Sequence, residues 1–164
     1  MIADKAIMTK TWTIRKFDQY EDYLRWLSGE VNPNEVVEFY DNLLLNEGIT
    51  RLMNLLIGGG GTNFGNAAAY LGIGDSSGSA GATQTGLSGT AAYRPMEATY
   101  PQIANQTLTW RSVFDGANGN GSWQEFTVAN GSGNSAENLN RRVSDQGIKA
   151  SGTTWTLDLA ITWS

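Results

Sequence analysis

The chain has 164 residues, 40% of them hydrophobic, with six Trp, six Tyr and five Phe. That is enough apolar surface for one packed domain, and it excludes wholesale disorder. Its net charge of -5 and pI near 4.6 argue against non-specific nucleic-acid binding, which depends on Lys and Arg neutralising phosphates. With no Cys and no His, it can form no disulfide, no Cys- or His-based zinc site and no Ser–His or Cys–His relay.

No run is long enough to cross a bilayer as a helix, and Met1–Lys10 lacks the apolar core and cleavage site of a secretory signal. Up to Arg51 the chain carries six Lys/Arg and nine Asp/Glu, and only Gly29 and Gly48 of its 20 glycines precede Gly58. Residues 1–34 read as an N-terminal arm, an extended segment plus a short helix, ahead of a β-rich domain at 35–164. Within the arm, Thr11–Phe17 alternates, with Trp12, Ile14 and Lys16 on one side, and predicts a short strand. Asp18 and Glu21 form an acidic variant of the capping box. Tyr20, Tyr23, Leu24 and Leu27 follow at helical spacing and Gly29 can close the turn, which predicts a helix over 19–28. Val31–Asn34, with Pro33, reads as a hinge.

Val36, Val37, Phe39 and Tyr40 favour a strand over Glu35–Leu45. Asn46 is a good N-cap for a helix at about 47–57, with Ile49, Leu52, Met53 and Leu56 on one face and Gly58 as the stop. That face is expected to pack across a sheet or plug one end of it. From Gly58 onward, short alternating pieces are separated by Gly, Asn, Ser and Thr: Ala68–Ile73, Ala91–Met96, Thr107–Phe114, Trp123–Val128 and Leu139–Val143. The last piece, Thr153–Trp163, places Trp155, Leu157, Leu159, Ile161 and Trp163 on every second position. A period of two over this length predicts a strand with one buried and one wetter face. No fixed-period repeat is present. The fold class is therefore mainly β: an antiparallel β-sandwich or jelly-roll-like domain with one or two short helices and an extended N-terminal arm.

Candidate chemistry is sparse. Gly58–Gly61 opens a run without the Lys and hydroxyl of a phosphate loop, and reads as a flexible turn. Asp115–Gly121 resembles a calcium loop only loosely, because its Asp and Asn miss the 1, 3, 5 spacing and no bidentate Glu follows at position 12. It reads as an exposed hairpin loop. Asp75, Glu97, Asp115, Glu125 and Asp158 are available carboxylates, but nothing pairs two of them for glycoside hydrolysis. Trp110, Trp155 and Trp163 sit on strand faces, which favours core packing over sugar stacking. Three sequons, at Asn105, Asn120 and Asn130, are of the number chance gives in an Asn-rich chain. No cofactor or metal is implied. The strongest functional signal is the cluster Trp12, Ile14, Phe17, Tyr20, Tyr23, Trp26 and Leu27, large apolar groups in a charged segment. Two readings stand: an extra strand and helix on the same core, or a strap that lies on another subunit.

A set of motifs carries a resemblance. It runs from Asn46–Leu56 through Asn63–Ala67, Ala69–Asp75 and Ala82–Leu87 to Arg94–Glu97 with Tyr100–Pro101, then Leu139–Arg141 and Gly152–Leu157. Over roughly residues 36–164 the chain resembles a family of small virion structural proteins of tailed bacteriophages. These motifs are turn and strand signatures, not catalytic ones. Some phage head decoration (cement) proteins combine a β-rich domain with an N-terminal arm and assemble as trimers on the capsid. The resemblance implies a non-enzymatic cement protein that is made in the host cytoplasm and stabilises the capsid from outside. Its partners would be the major capsid protein and itself as a homotrimer, with no nucleic acid and no membrane. Tail, neck and fibre proteins also use small β domains. The alternative is such a protein with a glycan- or receptor-binding site on loops 74–90, 115–122 and 130–138. If the arm is a strap, removing residues 1–34 is expected to leave a folded domain that no longer binds capsids.

Overall fold

The computed structural model describes residues 7–164. In chain order the elements are β1 (Met8–Phe17), α1 (Tyr20–Leu27), β2 (Glu35–Tyr40), β3 (Leu43–Leu44), α2 (Asn46–Leu56), β4 (Tyr70–Gly74) and β5 (Ala91–Pro95). They continue with β6 (Gln102–Ala104), β7 (Thr107–Phe114), β8 (Gly121–Ser122), β9 (Glu125–Ala129), β10 (Asn140–Val143), β11 (Ile148–Lys149) and β12 (Thr154–Trp163). The fold is mainly β. One five-stranded sheet has the order β2-β1-β12-β7-β6, the other β3-β10-β9-β4-β5, and β8 and β11 form a two-stranded ribbon. Every pairing is antiparallel.

The two large sheets face each other across one aromatic-rich core. Trp12 of β1 stacks on Phe39 of β2 with centroids 6.0 Å apart, and both rings meet Phe126 of β9 across the sandwich, at 5.7 and 4.9 Å. Trp123 packs edge-on against Phe114 and Trp155, each at 4.9 Å. β12 is the central strand of its sheet, paired with β1 from Met8↔Trp163 to Phe17↔Thr154 and with β7 from Trp155↔Phe114 to Thr162↔Thr107. Its alternation places Trp155, Leu157, Leu159 and Ile161 in the core, as predicted. The other face is drier than predicted: Thr154, Thr156 and Asp158 are also buried. Trp163, at the sheet's end, is only half-buried.

The segment read as an arm is integral to this sheet, apart from its first six residues, which lie outside the described residues. β1 runs between β2 and β12, so it contributes the strand on which both neighbours depend. The reason is hydrophobic: Trp12 and Ile14 are fully buried in the main core, with Trp12 against Phe126 of β9. Glu35–Leu45 is two strands, not one. Asp41 adopts a left-handed φ of 69°, which breaks the run and sends β3 to the opposite sheet. The capping box also fails. Gln19, not Asp18, is the N-cap of α1 and makes no side-chain cap bond, leaving Glu21 and Asp22 in the first turn to favour the helix dipole. Gly29, at φ 78°, closes that helix as predicted.

Candidate interaction surfaces

α1 lies on the outer face of the first sheet, and its attachment is built from charge and aromatic faces. Asp158 points outward from β12, opposite in sense to Leu157 and Leu159. It accepts two hydrogen bonds from Arg111, from Nε at 2.8 Å and Nη2 at 2.6 Å, and a third from Arg15 Nη1 at 2.9 Å. Trp26 of α1 covers both cations, its ring centre 5.2 Å from the Arg15 guanidinium carbon and 5.3 Å from that of Arg111. Tyr100 holds Arg111 from another side at 4.6 Å. Beside this stack Phe17, Tyr23 and Val113 form a second small core. The Tyr23 hydroxyl donates to Glu97 at 2.8 Å, and burial, with Glu97 next, pushes its pKa well above the usual tyrosine range. A cleft of about 210 Å³ opens between α1 and residues 97–100, lined by Tyr23, Leu27, Glu97, Thr99, Tyr100 and Arg111.

This geometry divides the seven residues singled out in the sequence. Trp12 and Ile14 belong to the main core, and Phe17 and Tyr23 are buried under α1, so these four have no free surface to offer a partner. Trp26 is half-buried on the arginines. Tyr20 and Leu27 are exposed, and with Leu24, also exposed, they form a stripe at i, i+4 and i+7 along α1. The aromatic density of the segment came chiefly from packing within the chain. Its outward apolar face is the stripe of Tyr20, Leu24 and Leu27 on α1.

α2 departs further from expectation. Its apolar face was predicted to pack on a sheet, yet Met53 and Leu56 face solvent at 55% and 87% exposure, with the adjoining Ile57 at 80%, while Ile49 and Leu52 are covered over nearly two-thirds of their surface. The physical reason is that the sandwich is already filled by aromatic rings, and α2 is fixed by its opposite, polar side. Glu47 Oε1 accepts the Asn138 N–H at 2.7 Å, and Arg51 Nη2 donates to Glu137 at 2.7 Å and Nη1 to the Gly60 carbonyl at 3.0 Å. That bond from Arg51 also holds the Glu137 carboxyl below the ordinary range. Gly48 seats directly on the backbone, since a Cβ there would lie 2.4 Å from Leu139 Cα. The exposed aliphatic surface of residues 49, 52, 53, 56 and 57 amounts to about three whole side chains. Covering it would gain roughly 4–9 kcal/mol per copy.

No known family, curated protein or solved structure matches this chain. The resemblance to phage virion proteins therefore stands on the quoted motifs alone.

The remaining polar clusters serve loops. Glu125 and Arg141, both fully buried on the outer face of the second sheet, pair at 2.7 Å. Glu125 also accepts the backbone N–H groups of Ser88 and Gly89, while Arg141 donates to the carbonyls of Gly78 and Ser79 and to Gln84 Oε1. One ion pair thus holds both arms of the 75–90 loop. In the Asp115–Gly121 loop, the loosely calcium-like run, the oxygens converge on a cation of the chain itself. Lys149 Nζ donates to the Asp115 carbonyl at 2.7 Å and to Asn120 Oδ1 at 2.8 Å. Burial pulls the Lys149 pKa down to about 8. Asp75 accepts the Thr90 N–H at 2.7 Å, so each of the five carboxylates considered for chemistry has a structural partner. Among the described residues, no three His, Cys, Asp or Glu side chains are placed to hold a metal, and no helix is long and apolar enough to cross a membrane.

Proposed function

We propose that the protein is a non-enzymatic structural component of a tailed-bacteriophage virion: a cement protein that binds the outside of the major capsid shell and associates with copies of itself as a homotrimer. The motif resemblance favours this reading, and one observation carries it. The α1 stripe of Tyr20, Leu24 and Leu27 is an apolar ridge exposed on a mount held by Trp26, Arg15, Arg111 and Asp158. An apolar ridge that is already ordered binds without the entropic penalty of ordering it. The net charge of -5 suits a partner with basic patches. In this reading the ridge, not the buried strand, meets the shell, and repeated weak contacts across an oligomer give avidity.

The test adds purified protein to particles that lack it and measures co-sedimentation. The native chain is expected to bind, and a Leu24→Glu/Leu27→Glu variant with an unchanged circular dichroism spectrum is expected to bind at least tenfold more weakly. Undiminished binding by that variant overturns attachment through α1. Density for the chain on the tail of an intact particle would instead assign it to tail, neck or fibre.

A further inference from the structure

We propose that α2 is the surface through which copies of this chain associate, helix against helix. The inference deepens the proposed self-association by naming its site, and it rests on that reading only for its biological purpose. Met53 and Leu56 are the most exposed large apolar residues of α2, and Ile49, Leu52 and Leu56 are spaced by three and then four residues, the seam spacing of a helix bundle, with the rims of Ile49 and Leu52 still open. Around a threefold axis the same face of each α2 packs against the next copy's, so further copies of this helix fill the seam without any new chemistry.

Charge points the same way. The chain carries -5 overall, so two copies repel across most of their surfaces. α2 is an exception. Its only acidic group, Glu47, is occupied by the Asn138 N–H, and its only basic group, Arg51, is occupied by Glu137, both on the anchoring side. The outward face holds no charge, and two copies can close on it without like charges meeting. The exposed aliphatic surface is about 300 Å² at roughly 100 Å² per side chain. A standard interface buries ~800 Å² per partner, so this patch supplies the apolar centre, where binding energy concentrates, and leaves the rim to flanking polar groups. An isolated helix of eleven residues is too short to pair stably, but here the sandwich already holds it in helical form. Association therefore need not also fold the helix.

The experiment uses the purified full-length chain without particles, so its outcome is independent of whether the protein is a virion component. Mass is measured by light scattering and sedimentation velocity from 1 to about 100 μM. The native chain is expected to be an oligomer, and Met53→Glu/Leu56→Glu, which changes only exposed positions, is expected to weaken association at least a hundredfold with an unchanged circular dichroism spectrum and a cooperative melting transition. Because the chain has no cysteine, Leu56→Cys gives a second readout: mild oxidation should cross-link it efficiently, and Val36→Cys, exposed on the β2 edge, should not. A monomer at 100 μM overturns the proposal. So does an oligomer indifferent to the Met53→Glu/Leu56→Glu change, or equal cross-linking at positions 36 and 56. If the native chain is monomeric and that variant loses particle binding, α2 serves a different partner and self-association fails.

Discussion

Deleting residues 1–34 should abolish folding, contrary to what an arm lying apart from the domain would allow. The deletion removes α1 and all of β1, leaving β12 unpaired on one side and β2 without the strand it pairs with. It also empties the core of Trp12 and Ile14 and uncovers the site of Phe17, all at most 2% exposed. At about 2–5 kcal/mol for each large buried side chain, the loss approaches 10 kcal/mol before any strand pairing is counted. A domain of this size is stable by roughly 5–15 kcal/mol in total. The truncated chain is expected to lack a cooperative urea transition and to show red-shifted tryptophan emission. A milder version works within the intact chain. Trp12→Ala should cost about 3–5 kcal/mol and lower the urea midpoint by roughly 2 M. Trp12→Phe should cost distinctly less, since the Trp12 indole N–H is buried without an acceptor and its removal relieves an unmet donor. A cooperative transition and native-like emission in the truncated protein would refute the reasoning and return residues 1–34 to the status of an arm.

Two further outcomes follow from the buried charges. Glu125→Gln or Arg141→Met should each destabilise the fold by about 3–5 kcal/mol, because the remaining member is left buried and uncompensated, and limited proteolysis should then cut within 75–90. Intact digestion patterns in both variants would count against the ion pair as the loop's anchor. Lys149 gives a pH signature. Its folded pKa of about 8 lies below the ordinary lysine value of ~10.4, so the unfolded chain binds more protons above pH 8, and stability rises with pH in that window. Urea midpoints of the native chain, taken relative to Lys149→Met, should be flat below pH 7.5 and gain about 2 kcal/mol by pH 9.5; a flat difference throughout would contradict the burial argument.

The sequence was most legible where one period dominated. β12 and β7 were readable because their alternation runs eight residues or more, and the structure places them at Thr154–Trp163 and Thr107–Phe114. Shorter elements were not. β3, β6, β8 and β11 span two or three residues each, too few for a period, and exist only because a neighbouring strand pairs with them. The α2 pattern predicts a helix, which is present, and a buried face, of which Ile49 and Leu52 are largely covered while Met53 and Leu56 are not. Hydrophobic periodicity reports that a face is apolar, not what covers it. The information that decided the matter is spread over distant residues: Trp12, Phe39 and Phe126 already fill the space between the sheets, and Leu139 and Glu137 hold α2 by its other side. Likewise nothing local distinguished Trp12 in the core from Leu27 in solvent. The difference lies in which strand stands opposite.

The buried ion pairs explain why the apolar face of α2 is left over. Each large sheet has one charged cluster on its outer face: Asp158 with Arg15 and Arg111 on the first, Glu125 with Arg141 on the second. Such pairs add little net stability compared with apolar residues of similar volume, but they are directional, and each fixes one covering segment, α1 on one side and the 75–90 loop on the other. Both outer faces are thereby shielded by elements whose position is set by hydrogen bonds. α2 cannot join either layer. Its two charged side chains are committed to residues 137 and 138, and Gly48 is pressed against Leu139. The helix is therefore fixed in place with its aliphatic side outward. A surface of that kind persists in an acidic protein at the expense of solubility unless a neighbour covers it. The outward aliphatic side of α2 thus follows from how the polar groups are spent inside the chain, not from any motif on α2 itself.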